Sequence, residues 1–149
     1  MTESELNGLT VEAVVRQLGV TPRTLRYYEE VGLITPTART SGGHRLYDQS
    51  TIDRLEQILR LKENLGFSLQ GIREILDAEQ SLECLRQTFR QGGQTEDEQR
   101  SVVDRYIEVL GELIDKMDKK IESITAMRNM YQERLDRSIR FRDEKMPDR

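Results

Sequence analysis

Val103, Tyr106, Leu110, Leu113 and Met117 follow one another at spacings of 3, 4, 3 and 4, and Ile121, Ile124, Arg128, Tyr131 and Leu135 resume the series after one extra four-residue step. That alternation is the seam of a coiled coil, and the extra step reads as a stutter. At 1.5 Å per residue, a helix from Val103 to Leu135 is roughly 50 Å long, too long to bury its stripe against the short domain that precedes it. The chain is therefore expected to pair this helix with another, most economically the same helix of a second copy. A single helix lying across its own domain is the plainer alternative, and a seam persisting over so many turns speaks against it. Composition agrees with a small core joined to much solvated helix: 34% of the residues are charged, 36% hydrophobic, with no Trp and three Phe.

The short domain has its helix ends written into it. After a polar lead-in, Met1 to Leu9, Thr10 caps a helix with Val11, Val14, Val15 and Leu18 on one face, and Gly19 ends it. Thr21 caps the next, Pro22 fits its first turn, and Gly32 supplies the left-handed residue beyond its end. Two short helices joined by so tight a turn form a helix-turn-helix. On the second helix Arg23, Arg26 and Tyr27 share a face, whereas Leu25 and Tyr28 point elsewhere and suit a core. That leaves a basic face for an anionic partner.

Gly32-Leu33-Ile34-Thr35-Pro36 leads into Arg39-Thr40-Ser41-Gly42-Gly43-His44-Arg45-Leu46-Tyr47, a small hairpin with a glycine turn between basic and aromatic residues. Arg39, His44, Arg45 and Tyr47 are donors of the kinds that bind phosphate oxygens, and glycine lets the backbone approach a duplex closely. A surface turn with scattered charge is the bland alternative. Ser50 is expected to start a third helix, with Asp53 three residues on, and Ser68 a fourth containing Leu69, Ile72, Ile75 and Leu76. The fold class is thus all-α with a small β-wing: a winged helix-turn-helix head over residues 1–77, then a long coiled-coil helix over 99–138. Residues 78–98, with Gly92-Gly93, read as a hinge or short-helix joint, and 139–149 as a charged, disordered tail.

Between Arg16 and Lys62 there are eight basic against five acidic residues, in a chain of net charge −4. This local excess suits a polyanion contact, while a pI near 5.2 argues against indiscriminate coating of nucleic acid. One cysteine, Cys84, leaves no partner for an intrachain disulfide or a cysteine-built metal site, and a reducing cytoplasm is the simplest compartment. No apolar run is long enough for a membrane span, and the N-terminus has no secretory pattern. With no acid pair and no phosphate loop, and with the single His remote from the single Cys, an enzyme has little to stand on.

TPRTLRYYEEVGLITPTARTSGGHRLYD, followed by LGFSLQGIREIL and the long helix, resembles the MerR family of bacterial transcription regulators. The resemblance covers Leu9 to Leu76 at motif level, through RYYE, GL-x-P and G-x-R-x-Y together, and continues as architecture to about Leu135. It implies a homodimer joined by an antiparallel coiled coil, holding double-stranded DNA at a pseudo-palindromic promoter operator and distorting it for RNA polymerase. The expected DNA-binding set is Thr21, Arg23, Thr24, Arg26, Tyr27, Arg39, Gly43, His44, Arg45 and Tyr47. The expected dimerisation set is Val103, Tyr106, Leu110, Leu113, Met117, Ile121, Ile124, Tyr131 and Leu135. His44 departs from the tyrosine commonest at its place in the family, and a plain surface histidine is its alternative reading. Arg60 and Lys62 are read either as phosphate contacts or as a solvated helix face.

The departures concern the signal. Relatives that sense metals or oxidants carry cysteines at the start of the long helix and after it, where this chain has none, and Cys84 reads as a small buried hydrophobe or a lone sensor thiol. The residues after Leu135 are too few for an appended ligand domain. No cofactor or metal is expected; a signal would enter through a small pocket around Leu82 to Gly93, or none is needed. The competing function is an interaction protein whose coil does the work and whose head docks on a protein.

Overall fold

The structure, a computed structural model, describes residues 8–36 and 38–148. The chain divides into two units at Leu76 and Asp77. The first is built from β1 (Leu9–Thr10), α1 (Val11–Leu18), α2 (Pro22–Glu30), β2 (Ala38–Arg39), β3 (Arg45–Tyr47), α3 (Gln49–Leu59) and the start of α4 (Leu69–Gln91). Met1 to Asn7 of the expected lead-in lie outside the described residues.

Local chemistry sets the helix ends. The Thr10 hydroxyl accepts from Ala13 N–H at 3.3 Å and the Thr21 hydroxyl from Thr24 N–H at 3.1 Å, each satisfying a donor that has no partner inside its helix. Gly19 and Gly32 follow α1 and α2 at φ 68° and 76°, a region that L side chains rarely adopt. The cap of α3 differs from the expected one. It is Asp48, whose Oδ1 accepts from both Thr51 N–H and the Ser50 hydroxyl at 2.9 Å.

The wing is a three-stranded antiparallel sheet in the order β1-β3-β2. Leu9, expected in a lead-in, is instead a strand residue paired with Tyr47, while Arg39 pairs with Arg45 across the hairpin. The core beneath is apolar: Val14, Leu25, Tyr28, Leu33, Leu46, Ile52, Leu55 and Ile72 are all buried. After α3 the chain widens into a π-helical turn, Arg60–Asn64, which tucks Leu61 inward.

The second unit is helical. Residues 78–91, expected within a hinge or short-helix joint, are helical but continue α4 rather than forming a separate short helix, because Ala, Glu, Gln, Leu and Arg all favour helix and nothing interrupts them before Gly92. Gly92 and Gly93, at φ 71° and 77°, then break the helix. Thr95 starts α5 (Glu96–Lys145) with a capping box: its hydroxyl accepts from Glu98 N–H, and the Glu98 carboxylate accepts from Thr95 N–H. α5 runs to Lys145, so residues 139–145 are helical where a disordered tail was expected. They contain neither Gly nor Pro, and Pro147 comes just after the end. Among the described residues no helix is long and apolar enough to cross a membrane.

Candidate nucleic-acid interface

Helix α2 presents the face its spacing implied. Arg23, Arg26 and Tyr27 are exposed and Leu25 and Tyr28 are buried, so the core takes one side of the helix and leaves the basic side to solvent. Thr21 and Thr24 share a hydroxyl–hydroxyl hydrogen bond of 2.9 Å at the start of the same helix. The Tyr27 and Tyr28 rings lie 5.8 Å apart, tilted at 49°, and Lys62 Nζ stands 5.8 Å from the Tyr28 centroid. Lys62 thereby covers an aromatic face of the core; Arg60 is solvent-exposed.

The tip of the wing is tightly bonded. Thr40 N–H donates to the His44 carbonyl at 2.8 Å, Gly43 N–H to the Thr40 carbonyl at 2.9 Å, and His44 N–H to the Thr40 hydroxyl at 3.1 Å. Arg39 Nη1 donates to the Gly43 carbonyl at 3.2 Å. Gly43 takes φ 82°, and His44 is held on the outside with its ring exposed. Arg39 is exposed and Arg45 half-buried, both facing Glu29 of α2. Arg45 Nε is 2.6 Å from Glu29 Oε2, close enough for an ion pair though out of line for a hydrogen bond, and Arg39 Nη2 is 3.9 Å from Glu29 Oε1.

Tyr47 does not belong with these donors. It is 1% exposed, and its hydroxyl is buried without a hydrogen-bond partner among the described residues. Strand β1 supplies the reason, since pairing with Leu9 covers a residue that a free two-stranded hairpin would leave open. Burial pushes the Tyr47 phenol above its usual pKa of 10.0; the charge of Glu29 adds to this, and Arg45 and Arg39 oppose it.

Three residues outside the expected set position the rest. Glu29 gathers the two wing arginines. Arg54 Nε donates to the Leu33 carbonyl at 2.5 Å and Arg73 Nη2 donates to the Val31 carbonyl, so two guanidiniums hold the turn that leaves α2. An acid inside a basic face was the available signal for Glu29; the two arginines act across long sequence separations and gave none.

In the second unit, the faces of α5 differ from the expected seam. Tyr106 and Leu113 are partly covered and Val109 is buried, whereas Val103, Ile107, Leu110, Ile114, Ile121, Ile124, Tyr131 and Leu135 are exposed. With Met117 and Arg128, the exposed residues run at alternating spacings of 4 and 3 from Val103 to Leu135 with no stutter. Tyr106 is also committed elsewhere, its hydroxyl 3.2 Å from Arg86 Nη2, a bond that raises the Arg86 pKa. Cys84, read above as a buried hydrophobe or a sensor thiol, is exposed, 3.7 Å from Gln80 Nε2.

Comparison with known proteins gives one family. The family described as MerR HTH family regulatory protein matches residues 9–79. The chain is 32% identical over 127 residues to the HTH-type transcriptional regulator YfmP of Bacillus subtilis, covering 85% of this chain and 90% of that one. It is 55% identical over 64 residues to the nodulation protein NolA of a Bradyrhizobium strain, but there it spans only 27% of the relative's length and 43% of its own. Among solved structures, the N-terminal part of the Bacillus subtilis multidrug transporter activator, MtaN, is 28% identical with a TM-score of 0.43, covering 80% of this chain and 96% of that one.

Proposed function

The chain belongs to the MerR family of helix-turn-helix transcription regulators, and from that premise we propose that it works as a homodimer gripping a pseudo-palindromic promoter operator. The observation that carries the reading is the exposed face of Arg23, Arg26 and Tyr27 on α2, with the wing arginines Arg39 and Arg45 gathered at the end of that same helix by Glu29. The helix enters the major groove, where Arg23 and Arg26 reach base edges or phosphates, and the wing tip, Gly43 and His44, lies along the flanking backbone. Thr21 and Thr24 sit at the helix start, where hydroxyls and amide donors suit a phosphate.

Dimerisation uses the unbroken seam. It is self-complementary about Lys119: run antiparallel, Val103 faces Leu135 of the second copy, Ile107 faces Tyr131, Leu110 faces Arg128, Ile114 faces Ile124 and Met117 faces Ile121. Charge supports the same orientation. Glu96 to Glu112 contains six acidic and two basic residues, Arg128 to Arg142 five basic and two acidic, so antiparallel pairing brings opposite signs together and parallel pairing stacks like on like. In the dimer two heads hold one duplex, and distorting a site of that length costs of order 1 to 6 kcal/mol, which both grips must supply. The product of that distortion is a promoter that RNA polymerase, in the cytoplasm, reads differently.

The test is a fluorescence titration of the full chain with operator duplex, recovered by selecting bound fragments from the host genome, and with a scrambled duplex of equal length. Tight, salt-sensitive binding to the operator alone supports the reading. Equal and feeble binding to both supports the alternative, a coil that assembles with another protein.

A further inference from the structure

The C-terminal half of α5 carries more apolar surface than one partner helix covers. Beside the seam residues, Met127, Met130 and Phe141 are exposed at 59, 49 and 57%. With Ile107 and Ile114 at heptad position a, Met127 and Phe141 fall at g and Met130 at c, forming a second stripe along one flank of the seam. Near the start of the same helix the corresponding flank is not bare. There Val102 at c and Tyr106 at g line a groove whose opposite wall is Leu85 and Phe89 of α4. Its volume is about 190 Å³. An apolar cavity of about 150 Å³ takes up benzene, so this one has the capacity of a phenyl ring and little more.

We propose that the groove receives Phe141 of a second copy. The inference rests on the antiparallel dimer proposed above. In that pairing g positions of one helix flank g positions of the other, so the second stripe of each copy lies on the grooved side of its partner. Centring on Lys119 sets Phe141 level with Asp97 and beside Gln99, the g position in the first turns of the opposing α5. A helical side chain leans toward the N-terminus of its own helix, which in an antiparallel partner carries the ring toward Val102. The flanking charges agree: Arg134 comes level with Asp104 and Arg140 with Glu98. The two ends of α5 thus have different tasks, one forming a socket with α4 and the other supplying the ring that fills it. Each dimer holds two such sockets, and each is complete only with the other chain.

The test uses the full chain carrying Cys84→Ser, with Arg90→Cys on the rim of the groove and Ser138→Cys beside Phe141, treated with a short bismaleimide. Within one chain the two sites are far apart, because the α5 segment from Val102 to Ser138 alone spans roughly 54 Å at 1.5 Å per residue. The expected product migrates at twice the 17.4 kDa chain mass. A control pair, Ile114→Cys with Ile124→Cys, reports the seam, and sedimentation of the untreated protein reports the dimer. Seam cross-linking without groove cross-linking overturns the proposal and leaves the dimer standing with its groove open to a small apolar ligand. A monomer in sedimentation overturns both. In the otherwise unaltered chain, Phe141→Ala is expected to weaken dimerisation at least about tenfold. An unchanged dimer constant for that variant, with unchanged helix content, also overturns the proposal.

Discussion

Arg45 Nε lies 2.6 Å from Glu29 Oε2, so the wing is fastened by charge to the last turn of α2. Arg39 approaches the other oxygen of the same carboxylate at 3.9 Å. One acidic side chain therefore decides where two cations of the proposed interface stand, and in the proposed function the two elements would meet a duplex as one body. The pair is partly open to water, its side chains 29% and 19% exposed, which limits its worth to about 1 kcal/mol.

Glu29→Gln keeps the shape and removes the charge. The wing arginines are then freed for any phosphate, and a negative charge leaves the interface. Affinity for scrambled duplex is expected to rise more than affinity for operator, so that their ratio falls roughly 3- to 10-fold, with thermal stability lowered by about 1 kcal/mol. Parallel titrations with the two duplexes measure it; an unchanged ratio means that Glu29 does not set the wing.

Tyr47→Phe tests where that residue acts. Its hydroxyl is buried and unpartnered, so removing it is expected to leave operator affinity unchanged and stability equal or up to about 1 kcal/mol higher. Burial raises the phenol pKa in the fold above 10.0, so this group's contribution is full below the unfolded value and is lost as pH rises toward and through the folded one. Melting curves between pH 8 and roughly 11 are therefore expected to show a smaller alkaline loss for Tyr47→Phe than for the parent. A marked fall in operator affinity would return Tyr47 to the interface.

Ile114→Asp and Tyr106→Phe separate the two registers of the seam. A carboxylate at Ile114 falls on the exposed stripe, and its burial against a second helix costs several kcal/mol, so the variant is expected to be monomeric and to lose operator affinity at least about 100-fold as the two-headed grip is lost. Tyr106→Phe removes only the hydroxyl bonded to Arg86 and is expected to remain dimeric. Sedimentation equilibrium decides between them, and a dimeric Ile114→Asp would restore the stuttered seam.

What could be read from the residues was local. Thr10, Thr21 and Gly32 act within one turn of where they stand, and Arg23, Arg26 and Tyr27 share a face because the helix has 3.6 residues per turn. The burial of Tyr47 is not legible locally, because the strand paired with it, at Leu9, comes from before the first helix. Asp48 and Ser50 are both good caps, and only the backbone geometry distinguishes them. Two apolar stripes lie side by side on α5, and spacing alone cannot say that Val109, Tyr106 and Leu113 turn toward their own chain. For want of apolar period the residues do not show that 78–91 continue α4 or that 139–145 continue α5, although helix needs only the absence of breakers and a favourable propensity.

The most direct measurement is the salt-dependent titration of operator and scrambled duplexes with the parent chain, Arg23→Ala and Arg45→Ala. The interface described here predicts that each variant loses about 1 to 3 kcal/mol of operator binding, and that the slope of affinity against salt falls by about one ion for each phosphate contact removed. Operator affinity and salt slope unchanged in both variants would contradict it.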